Sequence, residues 1–364
     1  MRIRRLKSLL YIFSSIMFLG LALVSFDTMG PGQQTLNQQS PTPVPNSNTS
    51  KNNTPTPAPT QNPKHTATPT PNPTSTPTPS PSPTPTPSLA QLNAAIAIQP
   101  ATDDIGTGLT TVVTEHLNDY YSNEDLQVKE INNITCYYKE GLADVSYFVY
   151  VTYDITYNGS NVPIPAIQEY CVTIGGEAVL VTTDPQQEDV KEALYLSRAS
   201  ESVSQLYIQE LIRRYMNAKL ACDEALLSSM VTDPSFINIK NIESQTQYIE
   251  EYKNLDFIIH SAPDTITEFD YIVYLTHDVK IINIATLAPG MDEFVITLNE
   301  QNYPLIFLGY TSTEAEAARV ASREQSDYQA AFQEVVDRMT EAMLQDPDLL
   351  EFIERINSAT GAAE

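Results

Sequence analysis

A histidine on a strand-like segment is the side chain best placed for acid–base chemistry. The segment YIVYLTHDVKI, residues 271–281, alternates so that His277 shares one strand face with Tyr271 and apolar residues. A histidine on such a face can act as a general acid or base, or donate a hydrogen bond to a ligand. It can equally be a core side chain whose ring nitrogens are satisfied internally. His277 and Tyr271 are therefore candidate ligand-binding residues, together with Tyr215 from the apolar stripe of a preceding helix.

Carboxylates near this strand do not complete a catalytic pair. Asp278 and its counterpart Asp154 fall on the opposite strand face, which alternation places away from the helices. Glu268 and Asp270 precede the strand and are expected to be solvated. The recurrence of Asp154 and Asp278 favours a structural role, in a turn or across strands. No catalytic residue is assigned, because no carboxylate is placed beside the histidine.

The other reactive residue types lack the spacing of known sites. The chain has no G-x-S-x-G, H-E-x-x-H or phosphate-loop motif. The stretch DPDLLE at 346–351 has two carboxylates at calcium-loop spacing but no glycine, which indicates a break between two helices. Cys222 has no obvious partner, and Cys136 and Cys171 are expected on strands separated by a third, too far apart for a disulfide. We expect buried free thiols, no metal site and no cofactor.

The strand that carries His277 is one half of an internal repeat. YFVYVTYDITY at 147–157 matches YIVYLTHDVKI at 271–281, with an offset of 124 residues. Further pairs keep this offset or one that is a residue longer: Pro165/Pro289, Glu169/Glu293, Ser197/Ser322 and Arg198/Arg323. The period is longer than that of any solenoid repeat, so it predicts two duplicated domains.

The order of elements is helices followed by antiparallel strands, so the expected fold class is α+β. A helix is predicted over 186–222, because apolar residues recur at helical spacing from Val203 to Ala218. Glycine-containing turns separate the strands of each copy. In the second copy the pattern predicts a helix over 244–252, strands over 255–262, 269–282, 293–298 and 304–310, and helices over 313–356 with an interruption at Pro347.

This order resembles the nuclear transport factor 2-like (SnoaL-like, ketosteroid-isomerase-like) cone, in which helices pack on a curved antiparallel sheet. The resemblance covers 197–312 and is carried by IQELIRRYMNAKLACDEALL (208–227), IESQTQYIEEYKNL (242–255) and FDYIVYLTHDVKI (269–281). Residues 88–185 resemble a reduced version with fewer helices. Enzymes of this superfamily use a pocket carboxylate, often with a tyrosine donor, but the fold also hosts unrelated functions.

The N-terminus predicts export and membrane attachment. A basic run with Arg2, Arg4, Arg5 and Lys7 precedes nineteen uncharged residues, enough to cross a hydrocarbon core of about 30 Å. The basic flank is expected to stay in the cytoplasm. A poor small-residue cleavage site favours an uncleaved, single-pass anchor over 1–28, with a cleaved signal peptide and secretion as the alternative.

A proline-, threonine- and serine-rich spacer follows over 29–87. It holds seventeen of the 26 prolines, a composition that favours extended polyproline II and cannot bury a core. Its fully extended limit is on the order of 180 Å, enough to hold a domain well away from the bilayer, within or beyond a thick, Gram-positive type of cell wall. The expected organisation is an anchor at 1–28, a spacer at 29–87, a first, reduced cone at 88–185, a second cone at 186–312 and a helical segment at 313–364.

Charge limits the partners. The net charge is −25, and all but one of the 45 acidic residues lie beyond residue 87, so this part of the chain repels nucleic acid. We expect a cell-surface binding or scaffolding protein whose partner is a wall component or another surface protein. One alternative is a pocket enzyme that acts through His277 and tyrosines. Another is a dimerising spacer module that forms a homodimer, which exposure of Tyr150 and Tyr274 would favour.

Overall fold

Nine α-helices and nine strands lie within residues 86–176 and 178–359, the part of the chain that the computed structural model describes. The helices are α1 (Leu89–Ala94), α2 (Asp104–Tyr121), α3 (Glu188–Arg198), α4 (Glu201–Ala221), α5 (Glu224–Ser229), α6 (Ile239–Thr246), α7 (Thr313–Arg323), α8 (Ser326–Gln345) and α9 (Pro347–Ala359). The strands are β1 (Gln99–Pro100), β2 (Val128–Glu140), β3 (Tyr147–Tyr157), β4 (Ile164–Gly175), β5 (Ala178–Thr182), β6 (Ile249–Ser261), β7 (Tyr271–Ile281), β8 (Ala288–Leu298) and β9 (Pro304–Ile306). They form a first sheet, β1-β2-β3-β4-β5, and a second sheet, β6-β7-β8-β9, both antiparallel. The predicted α+β class is confirmed.

The two sheets share the same pairing of their repeated strand with the strand before it. In each, the repeated strand, β3 or β7, pairs with a preceding strand that carries two irregularities in its register. At the second irregularity an asparagine takes a positive φ, 55° at Asn133 and 52° at Asn254. Asparagine tolerates this left-handed conformation better than most residues. The resulting bulge therefore recurs at the same place in both sheets.

Helices cover both faces of the first sheet. Leu109, Val113 and Leu117 of α2 pack in one core with Val149 and Val151 of β3. The other face contributes to a second core, whose members come from β3, β4, α1, α3 and α4: Ala90, Phe148, Tyr150, Cys171, Val190, Ala193, Leu194, Val203, Leu206 and Tyr207. A strand covered on both faces reads as a nearly continuous apolar run, as β3 does.

Helix α4 lies between the two sheets. Its N-terminal half packs against the first sheet through Val203, Leu206 and Tyr207. Its C-terminal half packs against the second sheet, where Ile212 and Met216 join a core with residues of β7, β8 and β9. A helix with apolar contacts on two sides must be buried, and this one is shared by the two repeats.

The far face of the second sheet is also covered. Alternation predicts that Tyr274 and Asp278 point away from the helices, and this prediction is wrong. Tyr274 is fully buried in a core with Ala315 of α7 and Tyr328 of α8. The helices within 313–359 therefore cover this face of the second sheet, as α3 and α4 cover one face of the first.

The predicted helix over 186–222 is two helices. Ser200 leaves the helical conformation with a ψ of 146°, and its hydroxyl donates to the carbonyl oxygen of Ser197. Serine side chains compete in this way with the helical backbone, so the chain breaks between α3 and α4. The helix predicted over 244–252 also lies elsewhere: α6 ends at Thr246, and β6 begins at Ile249.

The expected interruption at DPDLLE is confirmed, since Pro347 is the first residue of α9. Cys136 and Cys171 are free and belong to cores on opposite faces of the first sheet, and Cys222 is free as well. Within 86–359, no helix is both long and apolar enough to cross a membrane. The predicted anchor over 1–28, with Arg2, Arg4, Arg5 and Lys7, and the spacer up to residue 85 lie outside the described residues.

Candidate functional site

His277, the main candidate from the sequence, lies in the interior of the second repeat. Its side chain is 1% exposed. The Tyr252 ring lies edge-on to the imidazole, with 5.3 Å between ring centroids, and Nδ1 lies 3.5 Å from the carbonyl oxygen of Leu275. Burial lowers the pKa of His277, so the neutral imidazole is favoured at pH 7.

Asp292 is the nearby carboxylate that sequence reasoning missed. Its Oδ2 atom lies 3.9 Å from Nε2 of His277, and its side chain is 13% exposed. The sequence predicts a strand from residue 293, whereas β8 begins at Ala288 and pairs Asp292 with Leu275, on the face that carries His277. Proline and glycine just before Asp292 usually indicate a turn, which hides the start of this strand.

Of the two tyrosines predicted with His277, Tyr215 reaches this neighbourhood and Tyr271 does not. Tyr215 is 8% exposed. Burial, with a smaller effect from the Asp292 carboxylate, raises its pKa to about 12. Tyr271 lies six residues before His277 along the same strand, about 20 Å away. Its hydroxyl donates to Oγ of Ser204 on α4, at 3.2 Å.

The His277 cluster, defined as His277, Asp292, Tyr215 and Tyr252, holds groups suited to proton transfer but is closed. A general base must come within about 3 Å of the proton that it removes, directly or through one water. His277 and Tyr215 are almost fully covered by protein. In this structure the cluster therefore packs the interior of the repeat.

A second group that the sequence did not reveal is a row of serine, histidine and aspartate. His260 Nδ1 lies 2.7 Å from Oγ of Ser322, and His260 Nε2 lies 2.9 Å from Oδ2 of Asp327. These three residue types can form a nucleophilic triad. Ser322 is only 4% exposed, so its hydroxyl is covered by protein in this structure.

The first repeat carries a related buried pair. Lys139 Nζ donates to Oγ of Ser197 at 2.7 Å and to the carbonyl oxygen of Asn93 at 3.0 Å. Ser197 corresponds to Ser322, and both partners in the first repeat are almost fully buried. Burial lowers the pKa of Lys139 to about 8. Since the equivalent serine is buried in both repeats, we interpret the serine and its hydrogen-bond partner in each repeat as a structural polar contact, which in the second repeat extends to the half-exposed Asp327.

The recurring carboxylates of the central strands are held by ion pairs. Asp154 accepts from Asn133 at 2.7 Å and lies 3.3 Å from an Arg213 nitrogen. The equivalent Asp278 accepts a hydrogen bond from Nδ2 of Asn254 at 2.7 Å, and the second repeat also places an Arg338 nitrogen 2.6 Å from it. The structural role predicted for both aspartates agrees with these contacts. Their arginine partners come from α4 and α8, which cover the face expected to be free.

An open cleft lies beside α4, between the two sheets. Its volume is about 520 Å³, within the range of small-molecule sites. The lining is mainly polar and comes from β2, β3, α4 and β6: Thr135, Tyr137, Thr152, Leu206, Gln209, Glu210, Arg213, Tyr252, Leu255, Asp256 and Phe257. Sequence reasoning missed this cleft, since its walls come from distant parts of the chain.

Glu210 is the unusual residue of this inter-sheet cleft. It is 5% exposed; Oε1 accepts from Arg213 at 2.8 Å, and Oε2 is buried without a hydrogen-bond partner. Burial raises the pKa of Glu210, and the Arg213 guanidinium opposes this effect. A buried carboxylate oxygen without a hydrogen-bond partner destabilises the folded state. The contact with Arg213 therefore does not satisfy the whole carboxylate of Glu210, and Oε2 still lacks a donor.

Tyr252 connects the cleft with the His277 cluster. Its side chain lines the cleft on one side and contacts the His277 imidazole on the other. The candidate residue from the sequence therefore lies directly behind one wall of the cleft. His277 contacts a wall residue of the cleft but does not itself line the cleft.

Among the described residues, no group of three or more histidine, cysteine, aspartate or glutamate side chains is arranged to hold a metal ion. Comparison with protein-family models, with curated proteins and with solved structures returned no match in any of the three.

Proposed function

We propose that this chain is a membrane-anchored binding protein that displays two related domains outside the cell. The basic flank, the uncharged stretch and the long spacer support this location. The inter-sheet cleft supports binding, because it is open, mainly polar and contains a buried carboxylate oxygen without a partner. This cleft is the observation that carries the proposal.

We also propose that both domains are variants of the nuclear transport factor 2-like cone. In the second repeat, helices α4 to α6 precede the meander β6 to β9, which is the order that the resemblance implies. In the first repeat, α1 and α2 precede β2 to β5, consistent with a reduced version. The partner on this view is a component of a thick, Gram-positive type of wall, or another surface protein.

The two alternatives have less support. A pocket enzyme working through His277 needs an accessible side chain, and the 1% exposure of His277 weighs against it. A dimerising module was expected to expose the faces of Tyr150 and Tyr274. Both side chains are fully buried, which weighs against pairing through those faces.

Two measurements on the full-length chain test the proposal. In intact cells of a Gram-positive host, external protease should remove a C-terminal tag, because the domains lie outside the membrane. In detergent micelles, the purified chain should sediment with isolated wall material. A tag protected in intact cells would overturn the location, and a chain that stays in the supernatant would overturn binding to the wall.

A further inference from the structure

We propose that the inter-sheet cleft binds a short, neutral saccharide segment whose hydroxyl groups contact Glu210, Asp256 and Arg213. This inference rests on the proposed surface-binding function and adds to it the site and the class of ligand. Two carboxylates line the cleft, those of Glu210 and Asp256. Of these, Glu210 has an oxygen atom, Oε2, that is buried and has no hydrogen-bond partner.

Comparison of the repeats separates Glu210 from the structural side chains around it. The 125-residue offset that relates α3 and α4 to α7 and α8 pairs Arg213 with Arg338, and both arginines bind the aspartate of their central strand. The same offset pairs Glu210 with Val335, which packs at the edge of an apolar core. An apolar residue therefore serves this position in the second repeat, and the fold alone does not require a glutamate.

The lining offers hydrogen-bond acceptors and donors together. Glu210 and Asp256 accept, Arg213 donates, and the hydroxyls of Thr135 and Thr152 do both. Sugar hydroxyls also donate and accept, so they can satisfy both kinds of group. A polyanion would be repelled by the two carboxylates. A polycation would be repelled by the Arg213 guanidinium and would leave the hydrogen-bond donors of that guanidinium without an acceptor.

Aromatic rings add the second element of a sugar site. Tyr137 lies on one wall of the cleft, and Tyr252 and Phe257 lie on the other. Such rings combine an apolar surface with, for tyrosine, a polar group at the edge. They can pack against the C–H faces of a sugar ring while the charged groups bind its hydroxyls.

Because Oε2 of Glu210 is buried in this structure, a ligand would reach it only after a shift of a neighbouring side chain, and Arg213 is the neighbour bonded to Glu210. The Arg213 side chain is 31% exposed and is also held by Asp154. A shift of the guanidinium toward Asp154 would release Glu210 to a ligand hydroxyl without leaving the arginine unpaired. The ligand would supply the donor that Oε2 lacks.

The test uses the full-length chain in detergent and isothermal titration with neutral oligosaccharides, from disaccharide to tetrasaccharide, of glucose and of N-acetylglucosamine. Spermidine and polyphosphate serve as cationic and anionic probes. The variants are Glu210→Gln and Glu210→Val, the latter copying the second repeat. Glu316→Val is the matched control, because Glu316 also binds an arginine three residues along its helix, at 2.8 Å, and does not line the cleft.

We expect one oligosaccharide series to bind, and both Glu210 variants to weaken binding about tenfold or more while Glu316→Val leaves it unchanged. Urea unfolding of each variant checks that the fold is retained. Affinity unchanged in both Glu210 variants, binding of spermidine or polyphosphate instead, or no binding of any sugar would overturn the inference. If the chain then still sediments with wall material, the surface-binding function stands and only its assignment to this cleft fails.

Discussion

Glu210 and Arg213 lie one turn apart on α4 and share a hydrogen bond of 2.8 Å, yet the second oxygen of the glutamate is buried without a partner. Arg213 divides its contacts between Glu210 and Asp154. Loss of Glu210 would therefore leave the arginine paired, whereas loss of Arg213 would leave two buried carboxylates. The two residues therefore contribute unequally to stability, and we expect folding to depend on Arg213 but not on Glu210.

Replacement of Glu210 by valine should stabilise the protein. At pH 7 we expect the free energy of unfolding to rise by about 1 kcal/mol, since an apolar residue replaces a buried charge that is only half paired. Burial raises the pKa of Glu210 above its ordinary 4.5. Folding thus favours the protonated form, and the destabilisation grows as pH rises above the unfolded-state pKa.

The expected gain in Glu210→Val is therefore present at neutral pH and shrinks toward about pH 4, where the carboxyl is protonated in both states. Urea unfolding at the two pH values measures it. Glu316→Val, at a side chain 48% exposed, should change stability by less than about 0.5 kcal/mol. A clear loss of stability in Glu210→Val at pH 7 would show that the glutamate is structural after all.

Removal of Arg338 should cost more than neutralising its partner. Asp278 is 2% exposed and is held by Arg338 at 2.6 Å and by Asn254 at 2.7 Å. Arg338→Ala leaves a buried carboxylate with only the amide, and we expect a loss of about 2 kcal/mol, discounted because the arginine side chain is 43% exposed. Asp278→Asn keeps the shape and removes the charge, so it should cost about 1 kcal/mol.

Chemical unfolding at neutral pH compares these two variants, with Arg355→Ala as the control. Arg355 lies on the exposed side of α9, where its guanidinium is 5.5 Å from the Phe352 ring. Its loss should cost no more than about 1 kcal/mol. If Arg338→Ala proves as mild as this control, the ion pair contributes little and Asp278 is held by other groups.

The sequence predicts the repeated strands well because their apolar pattern is strong. It does not predict that β7 is buried on both faces, because alternation assumes that one face meets solvent. Asp278 looks exposed in such a pattern. Only the arginine that follows it at nearly the same distance in both repeats, 59 residues for Arg213 and 60 for Arg338, hints that the aspartate is paired.

The candidate site was harder to predict than the fold. The cleft combines side chains of β2, β3, α4 and β6, and no local pattern relates them. Asp292 was hidden by the preceding proline and glycine. One signal was available in principle. When the two repeats are aligned, Glu210 corresponds to Val335, whereas the arginine three residues later, Arg213 or Arg338, is the same in both.

Replacement of His277 by alanine should reduce stability rather than remove a surface contact. At about pH 7.5 we expect a loss of about 2 kcal/mol, because a buried ring in contact with Tyr252 is replaced by a cavity. Burial lowers the pKa of His277 below its ordinary 6.5. The neutral form is favoured on folding, so this contribution is complete above pH 6.5 and is lost as pH falls through the folded-state pKa.

The loss caused by His277→Ala should accordingly be smaller at about pH 5 than at about pH 7.5. Unfolding curves of wild type and variant at both values test this, with the exposed His116→Ala as a matched control. A variant with wild-type stability that nevertheless fails to bind a ligand would contradict the packing role. It would return His277 to the position of a binding residue.

Thiol labelling of the native protein should modify Cys222 and spare the other two cysteines. Cys136 and Cys171 are 5% and 1% exposed, whereas Cys222 is only partly buried. Burial raises the pKa of Cys136, and burial together with the Glu169 carboxylate raises that of Cys171 to about 12. Because the thiolate is the reactive form, both core thiols should resist alkylation in the folded state.

A short pulse of iodoacetamide followed by mass spectrometry measures the labelling of each cysteine. The same pulse in urea should label all three, because unfolding removes the burial that protects the core thiols. Labelling of Cys171 as fast as Cys222 without denaturant would mean that the first sheet opens readily on the side covered by α3 and α4. That face forms part of the core beside the inter-sheet cleft, so such opening would also undermine the cleft as a preformed binding site.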